Sequence, residues 1–150
     1  MSQVSRAMAW TGGRLVSGAV LSVLVAACVP TEPAPVSGRA LYSEFCQVCH
    51  GVGGQGDGPL AKDLSKRPAD LTRIAERNGG DFPLITVMST IDGYTRKNDH
   101  GSIMPEMGLQ FRGGRMARID AGDGIETPVP ESLLALAEYL RSLQLLSPAG

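Results

Sequence analysis

The sequence predicts an all-α domain of three to four short helices joined by long loops, and three observations carry that expectation. Residues 131–145, ESLLALAEYLRSLQL, set Leu133, Leu136, Ala137, Leu140 and Leu143 on one helical stripe. In residues 39–50, Ala40, Leu41, Phe45, Val48 and Cys49 recur at three- and four-residue spacing. Across the whole chain, 19 glycines and 10 prolines stand against 5% aromatic residues, a composition for short elements whose core is completed partly by something other than side chains.

Each element has its own local argument. Ser37 is placed to cap a first helix over 39–50. Residues 51–59, GVGGQGDGP, cannot continue it, because five glycines and a proline in nine residues make a loop. A short helix is expected around 59–65, and a weak helical turn from Asp70, closed by Asn78, Gly79 and Gly80. Asp81 is expected to cap a further helix over 82–91, with Pro83 in its tolerated first turn and Gly93 as its stop. Residues 94–115 read as irregular, and 115–129 leave a small hairpin and a long loop both open. The helix over 131–145 begins beside Pro130.

The amino terminus reads as a separate piece. Residues 1–14 carry two arginines and no acid, and 15–27, LVSGAVLSVLVAA, form an apolar run ending in small residues. These are the marks of an export signal over 1–27, and the run falls short of the roughly 20 residues that span a bilayer. Val25-Ala26-Ala27-Cys28 resembles a bacterial lipobox, in which Cys28 would be lipidated and become the new amino terminus. Residues 28–37 then make a Pro-rich, semi-rigid tether. Removal of 1–27 leaves 12 basic against 15 acidic residues, a net charge of −3. That balance gives no electrostatic case for nucleic acid.

The chemistry lies in Cys46, Cys49 and His50, the run CQVCH. A tetrahedral zinc site needs four nitrogen or sulfur ligands, and using His100 as the fourth would strain a histidine adjacent to Cys49. A thiol–disulfide enzyme wants its cysteine at a helix amino terminus, whereas this pair ends a helix. Cys-x-x-Cys-His is the attachment signature of haem c: the cysteines bond the two vinyl groups and the histidine is the proximal iron ligand. The candidates for the other face of the iron are Met88, Met104, Met107, Met116 and His100. Met88 sits in an apolar helix and reads as core, Met116 lies in a loop, and His100 reads as a loop histidine. Met104 is preferred because Pro105 stiffens the loop behind it, with Met107 three residues on as its rival. A thioether opposite histidine raises the reduction potential relative to two histidines and suits electron transfer.

Over residues 37–146 the sequence resembles a class I mono-haem bacterial cytochrome c. Gly38 and Tyr42, eight and four residues before Cys46, and Tyr139 match that family's packing of its first helix across its last. HGSIMPEMG is similar to the HG…MPxWG loops of small periplasmic members, in which the methionine before the proline ligates iron; here Met107 replaces the tryptophan. RPADLT resembles the segment whose proline carbonyl accepts the proximal histidine's N–H, a role the resemblance gives to Pro68, with Pro59 as rival. It implies a small cytochrome c fold over 38–146 wrapped around one haem, with Cys46 and Cys49 holding the haem and His50 and Met104 the iron. The implied function is a periplasmic one-electron carrier, lipid-anchored through Cys28 and working between periplasmic or membrane redox donor and acceptor proteins. The alternatives are an electron-entry subunit of a larger oxidoreductase, a small peroxidase-like enzyme, or a haem-based sensor. Lys62, Lys66 and Arg67 cluster after the motif, either as a solvated surface or facing an acidic partner.

Overall fold

The computed structural model describes residues 34–96 and 103–145, which belong to one compact unit, Ala34–Gly150. The expected export signal over 1–27, Cys28, most of the tether and His100 lie outside the described residues. Helix α1 spans Gly38–Phe45 and is capped by Ser37, whose hydroxyl accepts the Ala40 N–H at 3.2 Å. The expected single helix over 39–50 divides at Cys46, where φ of −114° turns the chain before α2, Gln47–His50. The Ser43 hydroxyl donates to the Gln47 amide oxygen at 2.9 Å and bridges the division by side chains. Gly51 then stops α2, its N–H returning to the Gln47 carbonyl at 2.8 Å.

The next pieces are shorter than the sequence suggests. Ala61–Asp63 is one 3-10 turn in place of a helix over 59–65. Asp70 caps a second 3-10 turn, Leu71–Arg73, by accepting the Thr72 N–H at 2.9 Å, and this turn runs into α3, Ile74–Arg77. Helix α4, Leu84–Asp92, begins later than expected, and Asp81 does not cap it. Pro83 occupies the cap position, which leaves Asp81 too far upstream; its carbonyl instead accepts the Asn78 amide at 3.0 Å. Gly93 ends α4 in the left-handed conformation, with φ of 95°, as an αL stop requires.

Helix α5, Glu131–Ser142, is the backbone of the core. It buries Leu133, Leu136, Ala137 and Leu140, the predicted stripe, while Leu143 is half-buried. Two helices pack against it. From α1, Gly38 lies so close to the Ala135 carbonyl that any Cβ there would collide with it, and the Tyr42 and Tyr139 rings stack at 5.3 Å with a 51° tilt. From α4 come Val87, Met88 and Ile91. Phe111 is buried with its ring edge-on to Phe45, 5.8 Å away, an arrangement aromatic quadrupoles favour.

The fold is mostly helical, but all-α is too strict. Strands β1 (Met116–Asp120) and β2 (Glu126–Pro130) pair antiparallel, Ala117 opposite Val129 and Ile119 opposite Thr127. Ile119 and Val129 pack against the core. At the hairpin tip the Asp120 carboxylate accepts the N–H groups of Gly122, Asp123 and Gly124 at 2.8–3.1 Å. Pro128 and Pro130 in β2 are compatible with a ribbon of two strands, where one edge makes no ladder bonds.

A last set of contacts ties the end of α5 to the turn after Asp70. The Gln144 amide oxygen accepts the Ala75 N–H at 2.9 Å, and its nitrogen donates to the Leu71 carbonyl at 2.8 Å and the Leu140 carbonyl at 2.6 Å. The Leu145 N–H adds a bond to the Thr72 carbonyl at 3.0 Å.

Candidate functional site

The turn at Cys46 and the short α2 bring both cysteines and His50 onto one wall of a cavity of about 900 Å³. That lies within the roughly 300–1,000 Å³ of ordinary cofactor and ligand pockets, and the lining is predominantly apolar. Cys46 and Cys49 are free thiols. Burial pushes the Cys46 thiol up to about 11, with the neighbouring Cys49 adding to the rise. A thiol so far from its thiolate is a poor disulfide-exchange nucleophile. Cys46, Cys49 and His50 also do not form a cluster able to hold a metal ion by themselves. Two separated thiols and an imidazole on one apolar wall fit a flat group bonded at two points and ligated at a third.

His50 is buried, and its Nδ1 lies 3.0 Å from the Ala69 carbonyl oxygen. Burial lowers its pKa below the ordinary imidazole value, and the Ala69 bond opposes that shift. The ring is therefore a neutral imidazole whose Nδ1–H donates to Ala69, which fixes the tautomer and leaves the Nε2 lone pair for a metal. Pro68, the residue suggested by resemblance, is not the acceptor, and neither is Pro59. The Pro68 carbonyl points at Gly56 instead, so close that a Cβ at Gly56 would strike it. Gly56 has φ of 74°, so both its backbone and its missing side chain are required there.

The loop after α2 is held firmly to residues 67–71, the strap that carries the Ala69 carbonyl. The Gly56 N–H bonds the His50 carbonyl at 2.9 Å, and the Leu71 N–H bonds the Gly54 carbonyl at 2.6 Å. Arg67 reaches back with Nε to the Gly56 carbonyl at 3.2 Å. Of the basic cluster, then, Arg67 braces the loop, Lys66 lines the cavity and Lys62 is exposed on its 3-10 turn. From the core side, the Tyr42 hydroxyl donates to the Gly51 carbonyl at 2.5 Å. Burial raises the Tyr42 pKa to about 12, with Cys46, Tyr139 and Asp57 contributing in the same direction.

The structure separates the methionines clearly. Met88 is buried in the core and does not line the cavity, whereas Met116 is 55% exposed on β1. Met104 and Met107 both line the cavity. Met107 is buried and anchored to α4 by its N–H bond to the Ile91 carbonyl at 3.1 Å. Met104 is half-buried at the edge of the core and is followed by Pro105, another lining residue. The two parts of the site thus arise about fifty residues apart in the chain and meet at one cavity. Ala69 and Gln144 escape a reading of the sequence, which marks Arg67 only as part of a basic cluster, because a backbone carbonyl and its braces carry no side-chain motif.

No curated protein and no solved structure matches the chain. A family model, cytochrome c, matches residues 36–144, most of its length. That span contains the haem-attachment motif, the cavity and the crossing of α1 on α5, and the chain belongs to the cytochrome c family.

Proposed function

We propose that the protein is a one-electron carrier in which Cys46 and Cys49 hold haem c, His50 binds its iron from one side and Met104 from the other. The observation that carries this reading is the convergence of these four side chains on a single apolar cavity. Haem c, when bound, supplies reversible one-electron exchange at iron. The protein's part is to hold that group in a fixed, dry environment. The Ala69 carbonyl orients His50 and would strengthen it as a donor to bound iron, while the Met104 thioether would favour the reduced state. The apolar lining would exclude water around a bound haem and disfavour a net-positive oxidised centre, in the same direction. Met104 is preferred over Met107 because it lies half-buried at the cavity with Pro105 stiffening the loop behind it, whereas Met107 is buried.

The export signal over 1–27 and the lipobox-like run before Cys28 support an exported protein, anchored to a bacterial membrane through Cys28 and exchanging electrons with periplasmic or membrane redox proteins. Mass spectrometry of the exported protein tests both parts. A haem adduct on the peptide containing Cys46 and Cys49, together with an acylated Cys28, is the expected result. An unmodified 46–50 peptide would refute the carrier, and an unmodified Cys28 would refute the anchor alone. Rapid carbon monoxide binding by the reduced protein would show an open iron face and favour an enzyme instead.

A further inference from the structure

The Ala69 carbonyl that orients His50 belongs to a short strap, and Leu71 locks that strap to two different parts of the molecule. Its N–H bonds the Gly54 carbonyl at 2.6 Å, in the loop that follows the attachment motif. Its carbonyl accepts from Gln144 Nε2 at 2.8 Å, at the end of α5. The same amide accepts the Ala75 N–H at 2.9 Å, so one side chain holds the strap by its donor and α3, which follows it, by its acceptor. Asp70, between Ala69 and Leu71, is immobilised by its bonds to Thr72 and by Arg77, which donates to its carbonyl at 2.7 Å.

We infer that Gln144 is a positioning residue for the proximal histidine: it holds the Leu71 carbonyl, hence the strap, and so sets the Ala69–His50 hydrogen bond that tunes the reduction potential. The inference rests on the haem c reading above. Gln144 does not line the cavity, so it has no direct contact through which to act on a bound haem. Its influence passes through the backbone groups it holds, at Leu71 in the strap and at Ala75 and Leu140 beside it. Half-buried, it bonds residues 69 and 73 positions away in the chain.

The test uses the haem-loaded, reduced full chain and three substitutions. Gln144→Met keeps the length and removes every polar contact. Gln144→Glu keeps an oxygen for the Ala75 N–H and loses the donor to Leu71, and it serves if the methionine variant does not fold. Leu133→Ala, in the core away from the strap, is the control for general loosening. The readouts are the proton NMR shift and solvent exchange of the His50 Nδ1–H and the midpoint potential. The Gln144 variants are expected to move the Nδ1–H signal upfield, speed its exchange about tenfold, the worth of roughly one hydrogen bond, and raise the potential as imidazole donation weakens. Leu133→Ala is expected to lower the melting temperature without moving signal or potential. Unchanged signal and potential in the Gln144 variants, or equal changes in Leu133→Ala, overturn the positioning role while the haem remains attached. A chain that carries no covalent haem refutes the carrier reading and this inference with it.

Discussion

Replacing Gly38 with alanine sets two physical effects against each other, and the crossing of α1 on α5 decides the sign. Gly38 is the first residue of α1, where intrinsic propensity favours alanine over glycine by up to about 1 kcal/mol. Against that, an added Cβ would overlap the Ala135 carbonyl and lie 2.9 Å from Tyr139 Cβ. The obstacle is backbone of the opposing helix, so relief requires α1 and α5 to separate and the Tyr42–Tyr139 stack to loosen. Overpacking of this kind costs about 1–3 kcal/mol, and an obstacle of rigid backbone places it near the top of that range. The net expectation is destabilisation by about 2 kcal/mol, or a fall in melting temperature of about 8 °C for a domain of this size. Thermal and urea unfolding followed by far-ultraviolet circular dichroism measures it, with Arg39→Ala on the exposed neighbour as a propensity control. A Gly38→Ala protein as stable as the parent, or more so, would refute the close crossing.

Three further expectations concern the site and its supports. Met104→Ala should abolish the weak far-red band of thioether-ligated ferric haem, whereas Met107→Ala should keep the band and cost about 2–5 kcal/mol as a buried truncation; optical spectra and urea titrations of both variants separate the roles, and the reverse pattern would assign the iron to Met107. Tyr42 holds its proton to about pH 12 when folded and to the ordinary value of 10 when unfolded, so its contribution to stability is complete below pH 10 and lost as pH rises towards 12. Tyr42→Phe should therefore flatten the fall in stability across that window in pH-dependent unfolding. Burial raises the Asp70 pKa, but the Thr72 bonds and nearby Arg73 and Arg77 outweigh it and hold the carboxyl below its ordinary value. Its stabilisation is thus present above that value and lost as pH falls through the lowered one; Asp70→Ala should cost about 1 kcal/mol near neutrality, with the difference vanishing in acid.

Helix periodicity and local caps survive translation from sequence to structure because they depend on neighbours only. The α5 stripe, the Ser37 cap, the Gly93 stop and the closing of α2 at Gly51 are of this kind. Shorter signals fail where two local preferences compete: Pro83 displaces the expected Asp81 cap, and five-residue alternation at 116–120 was too brief to separate strand from loop. The division at Cys46 is also invisible to periodicity, since both halves keep the same spacing.

The sequence by itself determined the attachment motif and the set of methionines from which an iron ligand can come, because covalent chemistry and ligand atoms belong to residue types. Only the tertiary structure decided which of those methionines share a cavity with His50, and that Ala69 rather than Pro68 accepts its N–H. The physical reason is that a carbonyl is present at every residue. Its direction is set by how the chain packs around it, here with the Pro68 carbonyl against Gly56 and the Ala69 carbonyl turned to His50.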